Sequence, residues 1–555
     1  MRHFSISIVL FFLAFAVSGQ VAPNKFFVAF TDKNGTPYNI NNPQAFLTQR
    51  AIDRRNAHGI PIVENDLPVT PSYIQQVANL GVTILNPTKW LNGVTLYASD
   101  TSVMAAIRAL PFVQHVYKST GGKNITPEPA NKFSLESTYS LTSGNPLVKS
   151  AKSPASYNYG ISYTQIHQVM GDALHNLGFH GEGKMIAVLD AGFQNADIIP
   201  AFDSLRTNGQ ILGTKDFVLP GNNVYNEHWH GTAVLSIMGG NIPGTLVGTA
   251  PKANYWLLRS EDAPTENIIE EYNWVSAAEF ADSVGADLIH SSLGYTTFDT
   301  PKYNHTCADM NGHSAPSTIG ANFAASKGMA VVVSAGNEGG TGWNCMSAPA
   351  DGDDVEAIAA VDASGTRASF SSVGVDTAGR VKPNLAAMGV QTVIAIPDGT
   401  VAQGDGTSFA SPIISGLTVC LWQSHPSVSN FDLYQAMQRS ASQYANPDSL
   451  LGYGIPNFSN AIIILKVDKP ALPVTSVFPN PFTGQLSVKF FCTREEPVDI
   501  VLLDQTARPV LKRTTSGMQG ENNFVLFSLS GLSPGIYFLK ISGDDFTDTR
   551  KIVKL

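Results

Sequence analysis

Three short motifs in this sequence carry residue types that could together perform nucleophilic chemistry. The first, residues 404–412, reads Gly-Asp-Gly-Thr-Ser-Phe-Ala-Ser-Pro and leads into an apolar run. Its glycines predict a tight turn, and Thr407 is a residue type that caps helices, so Ser408 is expected in a first helical turn. Free N–H groups and the helix dipole stabilise negative charge there, which suits a serine nucleophile. Alone, this motif would indicate an ordinary capping serine. Pro412 also removes the N–H that would bond the Ser408 carbonyl.

Two motifs upstream supply candidate partners for Ser408. The apolar strand predicted at 184–189 is followed by Asp190, and an acidic residue at a strand end can approach a neighbouring element closely. His230 opens an apolar helical run, so its side chain can point into a cleft. Alone, Asp190 would indicate a simple strand-end turn, and the nearby His228 fits a solvent-exposed loop. The motifs therefore point to chemistry only in combination.

The elements that must position these residues lie between about residues 157 and 465, where apolar strands alternate with helices. Near-continuous apolar strands predict a mostly parallel sheet that is buried on both faces by helices. In such sheets functional groups gather at the carboxyl ends of the strands. The predicted strands are 184–189, 255–258, 287–290 and 329–334, and the predicted helices include 267–284 and 317–327.

Taken in order, Asp190-x-Gly192, His230-Gly231-Thr232 and Gly406-Thr407-Ser408-x-Ala410-Ser411-Pro412 resemble the subtilisin-like serine peptidases, or subtilases. The resemblance implies an α/β fold, a three-layer αβα peptidase domain with a mostly parallel sheet. It also implies that Ser408 attacks the scissile carbonyl, that His230 moves the proton and that Asp190 orients His230. Asn337 would donate to the oxyanion. Two segments would bind substrate: Ser292, Leu293 and Gly294, and Ser334, Ala335 and Gly336.

The beginning of the chain predicts export. A short charged start precedes an apolar run from Ile6 to Val17, and small residues follow, which is typical of a signal peptide over residues 1–19. Later apolar stretches are too short to span a membrane, so we expect no transmembrane segment after signal cleavage.

Residues 20–150 have the pattern of a small α+β domain. By its position, size and pattern, the resemblance implies a prodomain that assists folding and inhibits the enzyme. An independent binding domain stays open as an alternative. The stretch 126–156 is rich in Pro, Ser, Asn and Thr, which predicts a linker open to proteolysis. The peptidase domain is then assigned to residues 151–467.

The last assigned domain, residues 468–555, begins with a proline-containing linker that ends at Pro473. Residues 474–555 contain short alternating strands, which predict a small β-sandwich. The motif Phe478-Pro479-Asn480-Pro481, the stretch 535–541 and the terminal Lys-Ile-Val-Lys-Leu resemble the C-terminal sorting domain of the type IX secretion system. That resemblance implies passage through the periplasm, a secreted or cell-surface enzyme, and the secretion machinery as a partner. A carbohydrate- or protein-binding module is the alternative.

The amino-acid composition excludes some classes of protein. The 555 residues are too many for one core, and 43% apolar with 14% charged residues is typical of folded protein. A net charge of −9 argues against nucleic acid as the main partner. The family resemblance implies protein or peptide substrates. Four cysteines are too few for a disulfide scaffold, although an oxidising destination permits a Cys307–Cys345 bridge.

Two other functions stay open. Glu227, His228 and His230 could contribute to a metal-dependent hydrolase, but HExxH is absent. A catalytically inactive surface adhesin is the non-enzyme alternative, and the complete set of Asp190, His230, Asn337 and Ser408 argues against it. We expect no cofactor for the chemistry. Structural calcium is compatible with the resemblance, but the metal ligands are unknown, and no calcium loop is specific enough to assign; Asp309-x-Asn311-Gly312 is suggestive only.

Overall fold

The structure is a computed structural model that describes residues 24–119, 133, 136–140, 157–374, 380–468, 476–492, 495–518, 520–526, 528–543 and 546–555. The predicted signal peptide lies outside the described residues, and so does most of the predicted linker 126–156. Three units follow one another along the described chain: a first unit (24–119), a second unit (157–468) and a third unit (476–555). A short cleft segment, residues 133 and 136–140, lies between the first two in sequence.

The first unit is the predicted α+β domain. Its four-stranded antiparallel sheet has the order β2-β3-β1-β4. Its first α-helix begins at Gln49, because the Thr48 hydroxyl accepts the Ala51 N–H and caps the helix there. The elements are β1 (Lys25–Phe30), α1 (Gln49–Ala57), α2 (Pro71–Ala78), β2 (Thr83–Thr88), β3 (Gly93–Tyr97), α3 (Met104–Arg108) and β4 (Val113–Lys118).

The second unit carries a seven-stranded sheet in the order β14-β13-β12-β11-β6-β10-β7, paired in parallel throughout. The elements, including the strand of the cleft segment, are β5 (Ser137–Ser140), α4 (Tyr163–His167), α5 (Gly171–Asn176), β6 (Met185–Asp190), α6 (Asp203–Thr207), β7 (Ile211–Asp216), α7 (His230–Gly239), β8 (Asn241–Ile242), β9 (Leu246–Val247), β10 (Asn254–Arg259), α8 (Ile269–Val284), β11 (Leu288–Ser291), α9 (Pro316–Ser326), β12 (Ala330–Ser334), β13 (Glu356–Val361), β14 (Leu385–Met388), β15 (Thr392–Ala395), β16 (Val401–Asp405), α10 (Thr407–Ser424), α11 (Asn430–Ser440) and α12 (Phe458–Asp468).

Two hydrophobic cores cover the two faces of this sheet. Along β6, Ile186 and Val188 belong to a core shared with α7 and α10, whereas Ala187 and Leu189 belong to a core shared with α8. Successive side chains of a strand point to opposite faces, so a continuous apolar run fills both cores. The predicted three-layer αβα architecture is confirmed.

The third unit is the predicted β-sandwich. Its two antiparallel sheets have the orders β17-β18-β21 and β20-β19-β22-β23. Alternate residues such as Val488 and Phe490 from one sheet share a core with Ile500 and Leu539 from the other. The strands are β17 (Ser476–Phe478), β18 (Leu486–Cys492), β19 (Glu496–Leu503), β20 (Pro509–Gly517), β21 (Gly520–Leu526), β22 (Gly535–Ser542) and β23 (Thr547–Lys554). None of the helices in the described ranges is long and apolar enough for a membrane span.

The first unit docks on α8 of the second through a buried ionic cluster. The Asp282 carboxylate forms ion pairs with three side chains, with N–O distances of 2.8 Å to Arg55, 2.6 Å to Arg54 and 2.9 Å to Lys89. Burial alone would raise the pKa of Asp282, but the three cations lower it below its ordinary value. One turn earlier, the Glu279 carboxylate accepts the backbone N–H groups of residues 89 and 90. These contacts hold the first unit on a rigid helix.

Candidate active site

The carboxylate and the imidazole that the sequence predicted as partners meet at the carboxyl end of β6. Asp190 is the last residue of β6, and His230 is the first residue of α7. Both side chains are buried, and His230 Nδ1 lies 2.8 Å from Asp190 Oδ1. A Cβ atom on Gly231 would collide with the Gly192 carbonyl, so only glycine lets the helix start this close to the strand end. The glycine of the His-Gly-Thr motif is therefore required by packing.

Ser408 lies in the first turn of α10, as predicted, and is buried. The expected role of Thr407 as the helix cap is wrong. Gly406 occupies the cap position, and Thr407 is the first helical residue. Its backbone N–H and its hydroxyl both lie 2.8 Å from Asn337 Oδ1. The Thr407 hydroxyl does not cap the helix because it donates to the half-buried Asn337 amide oxygen.

Those two bonds orient Asn337. Since its Oδ1 accepts from Thr407 twice, its Nδ2 must point the other way, into the cleft. Nδ2 there donates to Glu136 Oε1 at 3.3 Å. The amide is thus a donor held in place before any substrate arrives, which is the property an oxyanion donor needs.

The Glu136 carboxylate occupies the space between these groups. Its Oε2 lies 3.1 Å from His230 Nε2, and only 2% of its side chain is exposed. Burial would lower the pKa of His230, but the carboxylates of Asp190 and Glu136 outweigh it and raise that pKa to about 10. The Ser408 hydroxyl instead donates to the Ser292 carbonyl at 3.3 Å. Among the described residues, no hydrogen bond joins His230 to Ser408.

The rest of the cleft segment crosses the site on either side of Glu136. The Phe133 ring lies 4.4 Å from the His230 ring and 4.6 Å from the His228 ring, centroid to centroid. Downstream, β5 pairs antiparallel with β16, the strand that leads into Ser408. An extended segment added to a sheet edge is a common way of binding peptide chains. The sequence analysis missed Glu136 and Phe133, because both lie in a stretch without periodicity.

A pocket beside Ser408 collects the predicted substrate-binding residues. Ser292, Leu293 and Gly294 line it together with Ser334 and Gly336. Ala335 does not line it and packs in the core on the α8 face instead. The pocket is also lined by residues that the sequence did not indicate: Glu261, Glu338 and Ser347. Burial raises the pKa of Glu338.

The residues of the alternative metal site have other partners. His230 Nδ1 contacts Asp190, Glu227 lies 3.1 Å from Arg259, and His228 stacks on Phe133. The side chains therefore do not converge on one ligand position. Elsewhere in the described chain, carboxylate oxygens of Glu261, Glu266 and Glu270 lie within 4.8 Å of one another and could hold a cation.

Two further sequence expectations concern loops after Ser292 and Asn337. In the suggestive calcium loop, Asp309 caps its own turn through Thr306, and Asn311 donates to Ala308 and Ser314. Structural calcium stays a prediction. Cys307 and Cys345 form a disulfide, with Cα atoms 5.9 Å apart.

Comparisons with known proteins match three segments of this chain. Family models described as a Peptidase S8 propeptide domain of Bacteroidota, the subtilase family, and a secretion system C-terminal sorting domain match residues 25–133, 181–454 and 476–555, respectively. Subtilisin NAT of Bacillus subtilis subsp. natto and subtilisin E of Bacillus subtilis strain 168 are each 30% identical over 293 residues, or 52% of this chain and 67% of theirs. Subtilisin of Bacillus pumilus is 29% identical over 308 residues, or 55% and 98%.

Proposed function

The chain belongs to the subtilase family of serine endopeptidases, and from this premise we propose that it cuts proteins with Asp190, His230, Ser408 and Asn337, and that it is made as a latent precursor. The observation that carries the proposal is the Glu136 carboxylate. It lies 3.1 Å from His230 Nε2 and 3.3 Å from Asn337 Nδ2, so a negatively charged oxygen group already occupies the place between the base and the amide donor. Its oxygens stand in for those of the tetrahedral intermediate.

The chemistry follows from these positions. With substrate in place of Glu136, the Ser408 hydroxyl attacks the scissile carbonyl, and His230 Nε2 takes the proton. Asp190 holds Nδ1 and stabilises the imidazolium that forms. Asn337 Nδ2 and the Ser408 N–H donate to the oxyanion. His230 then protonates the leaving amine, and a water repeats the cycle on the acyl-enzyme. Residues 292–294 pair with the substrate backbone.

Latency in this proposal has two parts. The first unit, which matches a peptidase propeptide, is anchored on α8 by the Asp282 cluster. The cleft segment fills the catalytic position with Glu136. A protonated His230 cannot accept the Ser408 proton, and the carboxylate excludes a scissile carbonyl from the site. Maturation then requires removal of the cleft segment, and we propose the enzyme's own cut as the route.

The sorting-domain match implies export, so the enzyme is secreted or held at the cell surface. We propose that the third unit is read by a type IX secretion machinery and that the substrates are proteins or peptides outside the cell. We keep structural calcium as a proposal without assigned ligands.

Ser408→Ala tests the catalytic assignment. Loss of the hydroxyl should reduce hydrolysis of unfolded protein to background and leave the full-length precursor uncut, with the fold unchanged. Ser411→Ala is the matched control, since Ser411 is a buried serine on the same helix outside the proposed machinery.

Labelling with a serine-directed phosphonate, run beside a chelator, separates the other functions. The proposal expects phosphonate labelling of Ser408 with loss of activity. Full activity of the Ser408→Ala protein would reject the nucleophile. Inhibition by the chelator without any labelling would point to metal chemistry, and a folded, matured protein that neither cleaves nor labels would be the inactive adhesin.

A further inference from the structure

Pro412 leaves the backbone carbonyl of Ser408 without its helical hydrogen-bond donor. In an α-helix the N–H of residue 412 would donate to the carbonyl of Ser408, but proline has no N–H. Ser408 is buried, and a buried carbonyl without a donor destabilises the structure. The donor comes from outside the helix: Ser292 Oγ lies 2.9 Å from the Ser408 carbonyl oxygen.

A buried histidine holds the Ser292 hydroxyl. His290 is a residue of β11, and its Nε2 lies 2.9 Å from Ser292 Oγ. Its Nδ1 lies 2.7 Å from the hydroxyl of Ser415, two turns along α10 from Ser408. Since Ser292 gives its single proton to the Ser408 carbonyl, Nε2 must be the nitrogen that carries the ring proton, and Nδ1 accepts from Ser415. Every proton in this chain of contacts is thereby assigned.

The imidazole is suited to a fixed, neutral role. Burial lowers the pKa of His290 to about 3, so the ring keeps the same proton throughout the neutral range. The strand that bears it is held by parallel pairing to β6 on one side and β12 on the other. The chain from Ser415 through His290 and Ser292 therefore ties α10 to the middle of the sheet at the Ser408 carbonyl.

We propose that His290 is a positioning residue for the nucleophile: it orients the Ser292 hydroxyl, which replaces the helical hydrogen bond lost at Pro412 and holds the Ser408 backbone in its reactive orientation. This inference rests on the proposed nucleophilic role of Ser408. His290 touches no substrate. Since the pairing of β11 with its neighbours does not depend on the ring, loss of His290 should act on kcat much more than on KM.

His290→Phe and His290→Gln form the first test, made in the full chain and followed after maturation. Phe keeps the bulk of the ring and removes both nitrogens, whereas the Gln side-chain amide can still donate toward Ser292. We expect Phe to lower kcat per phosphonate-titrated site by about tenfold with KM nearly unchanged, and Gln to restore most of it. His425→Gln is the control, because His425 is a buried histidine at the opposite end of α10.

Pro412→Ala sharpens the test and covers the case in which His290→Phe matures poorly. Alanine returns an N–H that can donate to the Ser408 carbonyl, so the dependence on Ser292 and His290 should shrink. In a double-mutant cycle, the kcat loss caused by His290→Phe, or by His290→Ala where the Phe variant matures poorly, should be several-fold smaller in the Pro412→Ala background than in the wild-type background.

The outcomes separate this inference from the proposed function. Additive effects in the cycle, or a fall in kcat for His425→Gln as large as that for His290→Phe, would overturn the positioning role and leave His290 as an ordinary core residue. A loss confined to KM would overturn it as well. A wild-type protein that is neither active nor labelled at Ser408 would instead overturn the catalytic proposal itself.

Discussion

The precursor contacts its peptidase at two places that are built differently. The first contact, here called the anchor, is the cluster in which Asp282 on α8 pairs with Arg54, Arg55 and Lys89 of the first unit. All three cations are largely buried. At the catalytic site, Glu136 contributes one carboxylate to His230 and Asn337 from a short extended segment. The anchor joins α1 and the turn after β2 to α8 through buried ion pairs, whereas the cleft segment is held by edge pairing, by ring contacts of Phe133 and by the contacts of one carboxylate. Binding of the first unit and the proposed blocking of the active site should therefore be separable.

The largest effect is expected at the anchor. Asp282→Ala leaves Arg54, Arg55 and Lys89 buried without their shared carboxylate, and breaking one partner of a buried pair typically costs about 3–5 kcal/mol. After the cleft segment is cut, the first unit should dissociate at least about 100-fold more readily. Co-elution of the two fragments of the matured protein in size-exclusion chromatography measures this.

Asp53→Ala is the control for the anchor, because Asp53 is an exposed carboxylate on α1 that bonds Gln49 within its own helix. Equal retention of the first unit in both variants would show that the apolar contacts, and not Asp282, hold it.

An intermediate effect is expected at the cleft segment. Glu136→Gln keeps the shape but removes the charge that faces His230. Hydrogen bonds to charged groups contribute about 1.5–3 kcal/mol, so labelling of Ser408 by a phosphonate in the uncut precursor should become about 10- to 100-fold faster. Glu64→Gln, an exposed carboxylate of the first unit, should leave the labelling rate unchanged. Identical rates for both variants would remove Glu136 from the account of latency.

A smaller effect, the pH dependence of stability, distinguishes the Glu136 contact at His230 from the anchor at Asp282. In the precursor the pKa of His230 is raised to about 10, above its ordinary value of about 6.5. Its ion pairs therefore stabilise the precursor fully below about pH 6.5, and this contribution disappears as pH rises through about 10. Thermal unfolding of the Ser408→Ala precursor should show this alkaline loss. It should be weaker when Glu136→Gln is added, and parallel pH profiles of the two proteins would contradict the assignment.

The smallest effect on catalysis is expected from the third unit, which has its own core. Deleting residues 476–555 should leave kcat and the precursor contacts unchanged, while the enzyme accumulates in the periplasm. Activity measured in periplasm and medium tests this. Normal amounts of active truncated enzyme in the medium would argue for a binding module in place of a sorting signal.

Local patterns were enough to predict the architecture, and three motifs in combination selected the chemical residues. The near-continuous apolar strands predicted a parallel sheet buried on both faces. The short strands with alternating apolar residues at the end of the chain predicted the β-sandwich. Asp190, His230 and Ser408 each stand at a strand end or a helix start, and these are positions that neighbouring residues specify. Asn337 required the family resemblance in addition, since an asparagine after a strand is otherwise an ordinary turn residue.

Contacts between residues far apart in sequence were decided by the tertiary structure. Glu136 lies in a stretch without periodicity, and only the pairing of β5 with β16 brings its carboxylate to His230. Thr407 is a residue type that caps helices, but its hydroxyl donates to the side-chain oxygen of Asn337. The sequence revealed the missing N–H at Pro412 but not its replacement, because Ser292 reaches the Ser408 carbonyl only when β11 and α10 pack together. Short-range signals specify elements, whereas the partners of buried polar groups depend on how those elements meet.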